Sequence, residues 1–220
     1  MQTSVDVLPL NSDRKLVQNI QELNYRLADT YETTIQSLLL ALELHNGESR
    51  EHAFRVAKFS VKLARAMGFP ETSLTNVRRG ALLHDVGKLG VPTSILNKPG
   101  PLTEEEWTIM RKHPENACEL LKPLSFLRPA LDIPRYHHEK WDGTGYPHGI
   151  SGDKIPLSAR IFAIVDVWDA LRSKRPYRAE VWPENEVLEL FQLQSGKHFD
   201  PAVVEAFITL IKGNLLQIVS

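Results

Sequence analysis

Between Gly80 and Pro92 the sequence reads GALLHDVGKLGVP, with His84, Asp85 and Lys88 inside five residues and directly after an apolar run. A neutral imidazole beside a carboxylate offers two ligands to a divalent metal. On a helix, adjacent side chains point about 100° apart, so such a pair can serve two ions or two sides of one. Lys88, three residues after Asp85, shares its helical face. The chain holds eight histidines, at positions 45, 52, 84, 113, 137, 138, 148 and 198. Taken singly, a histidine on an apolar face such as His52 reads as a hydrogen-bonded core residue. The adjacent pair His137-His138 has no packing rationale, and Asp166, set among Ile164, Val165 and Val167, needs a partner or a metal if buried. Together His52, His84-Asp85, His113, His137-His138 and Asp166 fall on separate helices or helix ends and offer enough nitrogen and oxygen ligands for two metals.

The elements that must position these residues are helical. Residues 1–10 read as a loose tail. From about Ser12 to Leu44 runs a pattern without Pro or Gly, in which Leu16, Ile20, Leu23, Leu27, Tyr31, Ile35, Leu38 and Leu42 recur at intervals of three or four. The stripe suits a helix packed on its own domain as well as a two-stranded coiled coil that dimerises the protein. Its second half, ending in SLLLALEL, is expected to enter the core. Asn46-Gly47 breaks it, and a second helix is expected from Glu48 to Met67, ended by Gly68-Phe69-Pro70. A third, about Leu74 to Val86, carries the His84-Asp85 pair and stops at Gly87. Thr103 with Glu106 forms a capping-box signature for a helix to about Lys112, and His113-Pro114 opens another. Residues 128–139 read as a helix bearing His137 and His138, with Pro134 blurring its start. WDGTGYPHGISGDKIPL, residues 141–157, holds four Gly and two Pro in seventeen positions and must be a long shaped loop. Helices follow at Ser158–Leu171, Glu184–Gln194 and Pro201–Leu210, the last capped by Asp200. No stretch alternates with period two, so the expected class is all-α.

Composition sets bounds on function. At 220 residues there is room for one sizeable domain with an appended helix. A net charge of −1 and the lack of a long basic run give no reason to expect nucleic-acid binding. The single Cys118 excludes an intramolecular disulfide and fits a reducing compartment. No apolar run approaches the ~20 residues of a membrane span, and MQTSVDVLPL lacks the pattern of a signal peptide. A cytoplasmic protein is expected.

The ordered motifs resemble an HD-GYP domain, the subgroup of HD-superfamily metal phosphohydrolases associated with breaking down cyclic di-GMP. The resemblance rests on His52 with Arg55-Val56, LHDVGKLGVP (83–92), ILNKPGPLTEEE (95–106), His113-Pro114 and HHEKWDGTGYP (137–147). It continues through IPLSARIFAIVDVWDAL (155–171), RPYR (175–178) and HFDP (198–201), and so spans about residues 46–210. It implies the helical fold of that superfamily over residues 47–220, with 11–46 as a helical linker or dimerisation segment. Metal ligands are implied at His52, His84, Asp85, His113, His137, His138 and Asp166, with Asp169 left a structural role. A glutamate four residues before the first histidine marks the family's three-metal members, and Glu48 stands at that spacing; the competing role is a solvated residue favoured by the helix dipole.

Two divalent ions sharing the Asp85 carboxylate can hold a bridging hydroxide for in-line attack on phosphorus. Lys88 suits the stabilisation of a non-bridging oxygen. Arg175 and Arg178 resemble the family's phosphate-binding cations, with Arg178 where many members have Lys. Gly145-Tyr146-Pro147 implies a loop that directs Tyr146 to substrate or serves protein partners. Mixed His and carboxylate ligation favours transition metals over Mg or Ca, and the family points to iron, with manganese as a substitute. The expected activity is hydrolysis of cyclic di-GMP to pGpG and onward to GMP. The alternatives are a non-catalytic receptor for that nucleotide and a phosphodiesterase for another cyclic dinucleotide. Family members usually carry an input domain, for which the first 46 residues leave no space.

Overall fold

The computed structural model describes the backbone of residues 10–47, 49–173 and 180–219, and side chains among them from residue 14 to residue 213. Among the described residues there are ten α-helices: α1 Leu10–Asn46, α2 Arg50–Ala66, α3 Glu71–Leu82, α4 Thr93–Leu96, α5 Glu104–Met110, α6 His113–Leu121, α7 Asp132–Tyr136, α8 Leu157–Arg172, α9 Glu184–Leu193 and α10 Pro201–Val219. Three short 3₁₀ segments, Val86–Gly90, Ser125–Ala130 and Gly152–Lys154, join them. No strand forms among the described residues; a single bridge links Ser195 and Phe199. The protein is all-α.

The chain divides after Ser37 into two units. The first is the amino-terminal part of α1, where Leu16, Ile20, Leu23 and Leu27 are 46–66% exposed, so the apolar stripe is bare here. Its surface is tied locally, as by the pairing of Arg26 with Glu22 one turn earlier, at 2.6 Å.

The second unit opens with the last turns of α1, whose Leu39 and Leu42 are buried. α2 packs on α3 and α8, and α10 closes over α2, α8 and α9. Phe207 is the hub of the lower core, with Phe59, Trp168 and Phe191 at ring separations of 5.2, 5.2 and 5.3 Å. Burying a ring of this size contributes about 1.5–3 kcal/mol.

Helix starts follow local chemistry. Ser49 accepts from the Glu51 N–H at 3.2 Å to open α2. Thr103 and Glu106 exchange hydrogen bonds with each other's backbone, the expected capping box. Asp200 accepts from the Ala202 N–H at 2.8 Å at the start of α10. Helix ends depart from expectation in three places, two of which matter for the site. α3 stops at Leu82 rather than Val86, because Gly87 is pressed against α6: a Cβ there would lie 1.8 Å from the His113 carbonyl oxygen. Residues 86–90 take the tighter 3₁₀ path, so His84 and Asp85 sit on a turn and not on a helix. The expected helix over 128–139 is broken, since Pro129 and Pro134 lack the N–H that a continuous ladder needs; α7 ends at Tyr136 and leaves His137 as its cap and His138 beyond. The third departure is α10, which continues past Leu210 to Val219.

Candidate metal centre

Five elements of the second unit converge on one place. α2 contributes His52 and, one turn on, Arg55. The turn after α3 contributes His84, Asp85 and Lys88. The first residue of α6 is His113, and the end of α7 gives His137 and His138. From α8, Phe162, Asp166 and Asp169 share one face at spacings of four and three. Phe162, fully buried, forms an apolar floor, its ring 4.7 Å from that of His84 and 5.9 Å from that of His137.

These side chains form two groups in which one ligand atom from each residue lies within 4.8 Å of the others: His52, His84 and Asp166, and Asp85, His113, His137 and His138. Asp85 faces both. Its Oδ2 is 3.2 Å from His84 Nε2, and its Oδ1 is 3.5 Å from His113 Nε2 and 3.9 Å from His137 Nε2. Lys88 Nζ donates to Oδ2 at 2.6 Å.

Backbone carbonyls fix the imidazole tautomers. His84 Nδ1 is 2.8 Å from the Ala81 oxygen, His113 Nδ1 2.8 Å from the Met110 oxygen, and His137 Nδ1 3.1 Å from the oxygens of both Ile133 and Pro134. Donation from Nδ1 leaves the Nε2 lone pair of each ring free and aimed inward, the arrangement found around metal-ligating histidines. His113 and His137 bring their Nε2 atoms to 3.3 Å, two acceptors converging on one point. His52 is oriented differently: its Nδ1 meets Asp169 Oδ2 at 2.8 Å, and Asp169 is gripped by Arg55 through Nε at 2.7 Å and Nη2 at 2.9 Å. The donor set, mixed imidazole and carboxylate around two adjacent points, fits divalent transition metals.

The two groups differ electrostatically. Burial works against a charged His52, but hydrogen bonds to Asp166 and then Asp169, together with their charges, outweigh it and raise its pKa to about 9. His84 is raised as well, the charge of Asp85 overcoming burial. In the second group burial prevails. His137 falls to about 3, helped by the charges of His113 and His84, and His138 and His113 are also lowered. Against its own burial, Asp85 is held well below the usual carboxylate range by Lys88 and His84. So the histidines of the second group are neutral bases, while His52 must shed a proton to receive a cation.

A sign follows. The folded His52 value lies above its ordinary 6.5, so in the metal-free protein its ion pairing stabilises the fold fully below pH 6.5 and is lost as pH rises through about 9. Metal binding to this group runs the other way, strengthening as pH rises toward 9 and releasing protons. Titrating chelator-stripped protein with Mn(II) at pH 7, in buffers of different ionisation enthalpy, should register the release of about one proton or more per chain. A proton-silent titration would contradict this.

The loop after α7 is fastened to the same place. Tyr146 N–H donates to the His138 carbonyl at 3.1 Å and His148 N–H donates to Glu139 Oε1 at 2.7 Å. Gly145 lies so close that a Cβ would fall 2.5 Å from both the His138 oxygen and the Glu139 Cα. The Tyr146 ring stacks on His138 at 4.6 Å, and burial followed by the charge of Asp85 pushes its phenol upward in pKa. Pro147 follows through a cis peptide bond.

The other three histidines lie outside both groups. Nε2 of His45 meets the Val91 carbonyl at 2.9 Å, His148 meets Arg135 at 3.4 Å, and His198 stacks on Phe199 at 4.2 Å. Glu48, Arg175 and Arg178 fall outside the described residues. Sequence reasoning missed the Arg55–Asp169–His52 chain and the part played by Glu139; the spacing of three between Asp166 and Asp169 was the available signal for the first.

The HD domain family profile matches residues 35–203, and the chain belongs to this family. Within it the chain is of the HD-GYP type. It is 41% identical over 184 residues to 3'3'-cGAMP-specific phosphodiesterase 2 of Vibrio cholerae serotype O1, a match covering 83% of this chain and 35% of that protein. With the cyclic di-GMP phosphodiesterase response regulator RpfG of Xanthomonas campestris pv. campestris it shares 36% identity, over 93% of this chain and 53% of that one. A cyclic di-GMP phosphodiesterase of Thermotoga maritima is 39% identical over 81% of this chain and 49% of its own length. The chain thus spans between about a third and a half of these relatives. Among solved structures, a cyclic GMP-AMP-specific phosphodiesterase of V. cholerae has a TM-score of 0.62 at 20% identity, over 81% of this chain and 48% of that one, which is a likeness of fold. No helix among the described residues is long and apolar enough to cross a membrane.

Proposed function

We propose that residues 47–220 form a metal-dependent phosphodiesterase that opens cyclic di-GMP to linear pGpG, with GMP as the product of a second cleavage. The observation that carries this reading is the Asp85 carboxylate, one oxygen toward His84 and the other toward His113 and His137. A carboxylate so divided is suited to bridging two cations. The names of the relatives from X. campestris and T. maritima support the substrate class.

In this reading His52, His84 and Asp166 would hold one divalent ion, His113, His137 and His138 the other, and Asp85 would serve both. Two such ions would supply a nucleophile from water at neutral pH and neutralise charge developing on the phosphoryl oxygens. Iron is the proposed metal and manganese its substitute, with Glu48 as a further ligand for a third ion. Lys88 holds Asp85 ionised at rest and would turn its ammonium to a non-bridging phosphate oxygen. Tyr146 caps the second group from the loop, and Arg175 and Arg178 would hold phosphate. Residues 145–147 would also serve protein partners. The bare stripe on α1 supports a homodimer through residues 11–46, while the tail expected over 1–10 lies, but for Leu10 at the start of α1, outside the described residues; a monomeric mass in light scattering would overturn the dimer assignment. The proposed setting is the cytoplasm.

The test is turnover of cyclic di-GMP by protein purified without oxygen, stripped, and reloaded with Fe(II) or Mn(II), the products separated by chromatography. Appearance of pGpG with metal, and none after chelation, supports the enzyme. Binding of intact nucleotide by the metal-loaded protein points to a receptor instead. Because a 41% identical relative is named as cGAMP-specific, cyclic GMP-AMP and cyclic di-AMP are compared in the same assay, and preferential cleavage of either reassigns the substrate.

A further inference from the structure

Arg111 follows the last residue of α5 and precedes His113 by two positions. Its guanidinium carbon lies 5.5 Å over the ring of Trp107, one turn back, and 6.0 Å over the ring of Tyr146. Tyr146 in turn stacks on His138 at 4.6 Å and stands edge-on to His113 at 6.4 Å. Arg111 is thus set at the outer wall of the second ligand group, two aromatic contacts from its imidazoles. It differs from five other arginines of the chain. Arg26, Arg50, Arg55, Arg65 and Arg160 each pair with a carboxylate at 2.6–3.0 Å. Arg111 is exposed; its backbone N–H caps α5 on the Trp107 carbonyl at 2.9 Å, and among the described residues neither a hydrogen bond nor an ion pair is found for its guanidinium.

Two rings therefore flank a cation that has no carboxylate partner among the described residues. A cation–π contact of this kind leaves the N–H groups of a guanidinium open to another partner. That fork matches two oxygens of one phosphate in a bidentate contact. Because its freedom is already reduced, little further ordering is needed when an anion arrives. A cyclic dinucleotide carries two phosphodiesters, of which the metal-ligand groups can engage one.

We propose that Arg111 is a second anion-binding point of this centre, receiving the phosphodiester that the ligand groups do not hold. The proposal rests on the cyclic-dinucleotide reading above. Arg111 acts in it as a positioning cation for substrate binding and not for bond cleavage. Trp107 and Tyr146 form its cradle.

The experiment compares metal-loaded wild type, Arg111→Ala and Arg111→Lys. The probes are cyclic di-GMP, cyclic GMP-AMP and cyclic di-AMP, as substrates or, where uncleaved, as competitive inhibitors. Bis(p-nitrophenyl) phosphate, which has one phosphodiester, serves as the fourth probe. Arg111→Ala is expected to raise KM or the inhibition constant roughly tenfold to a hundredfold for every cyclic dinucleotide that wild type binds. It should leave kcat within about threefold and hydrolysis of bis(p-nitrophenyl) phosphate unchanged, since only ground-state binding is lost. Arg111→Lys should recover most of the affinity through its retained charge.

Unchanged dinucleotide constants overturn the proposal. So does an equal loss on bis(p-nitrophenyl) phosphate, which would mean general damage to the centre. A loss confined to guanine-bearing ligands also overturns it, because the fork would then be reading the O6 and N7 edge of guanine. If wild type cleaves bis(p-nitrophenyl) phosphate but neither cleaves nor binds any cyclic dinucleotide, the cyclic-dinucleotide reading itself fails, and this one with it.

Discussion

Asp85→Asn is expected to lower cyclic di-GMP turnover by at least about a thousandfold, since both the shared ligand and the nucleophile it helps to form depend on the carboxylate charge. It should also reduce the metal content of reconstituted protein by at least one ion per chain. The substitution preserves shape. It leaves the carbonyl partners of His84, His113 and His137 in place, so each ring keeps its tautomer and direction. What is lost is one negative charge shared over two acceptor oxygens: Oδ2 faces His84 and the Lys88 ammonium, while Oδ1 faces His113 and His137. An amide presents one oxygen and one NH2, so whichever way it turns, one ligand group meets a donor where it needs an acceptor. Elemental analysis and product chromatography on the same sample check both halves. Full metal content with turnover within tenfold of wild type would remove Asp85 from the centre of the proposed chemistry.

Asp169→Ala should have the next largest effect, by a different route. Asp169 does not belong to either ligand group; it fixes the His52 ring through Nδ1 and is itself fixed by Arg55. Removing a carboxylate behind a ligating imidazole weakens metal affinity by about 10–100-fold. Loss of its charge-assisted hydrogen bonds is expected to cost about 1–3 kcal/mol of stability in the metal-free state, toward the lower end because Arg55 is 47% exposed and water can take over its N–H groups. Competition with a chromophoric chelator reads the first effect and thermal unfolding the second. Activity should return at high metal concentration, which separates an orienting residue from a ligand. Equal metal affinity in variant and wild type would mean that the chain from Arg55 to His52 is only structural.

The contrast between Asp166 and Asp169 shows where sequence reading reaches its limit. Both were visible as carboxylates in an apolar helix, and their spacing put them on one face. Asp169 was set aside as structural, since nothing local says that its partner is an imidazole 117 residues away. Helix starts were legible for the opposite reason: Thr103 with Glu106, and Asp200 ahead of Pro201, satisfy backbone donors within three residues. The all-α class followed from spacing alone. The His84-Asp85 turn was misread as helix because its cause is tertiary, the contact of Gly87 with the backbone of α6. Unwinding there matters, since it is what lets one carboxylate look in two directions. His137 and His138, likewise expected within a helix, follow its last residue, Tyr136.

The fastening of residues 145–148 onto His138 and Glu139 has a consequence for the proposed protein partner. A partner that pulls this loop outward must lengthen the Tyr146 and His148 hydrogen bonds, and it takes hold of the segment that carries His137 and His138. Loop and ligand group therefore share one free-energy balance. If a docked partner changes metal affinity by some factor, metal must change partner affinity by the same factor. For the partner proposed above, the loop would then be a gauge as well as a handle, reporting whether the centre is loaded.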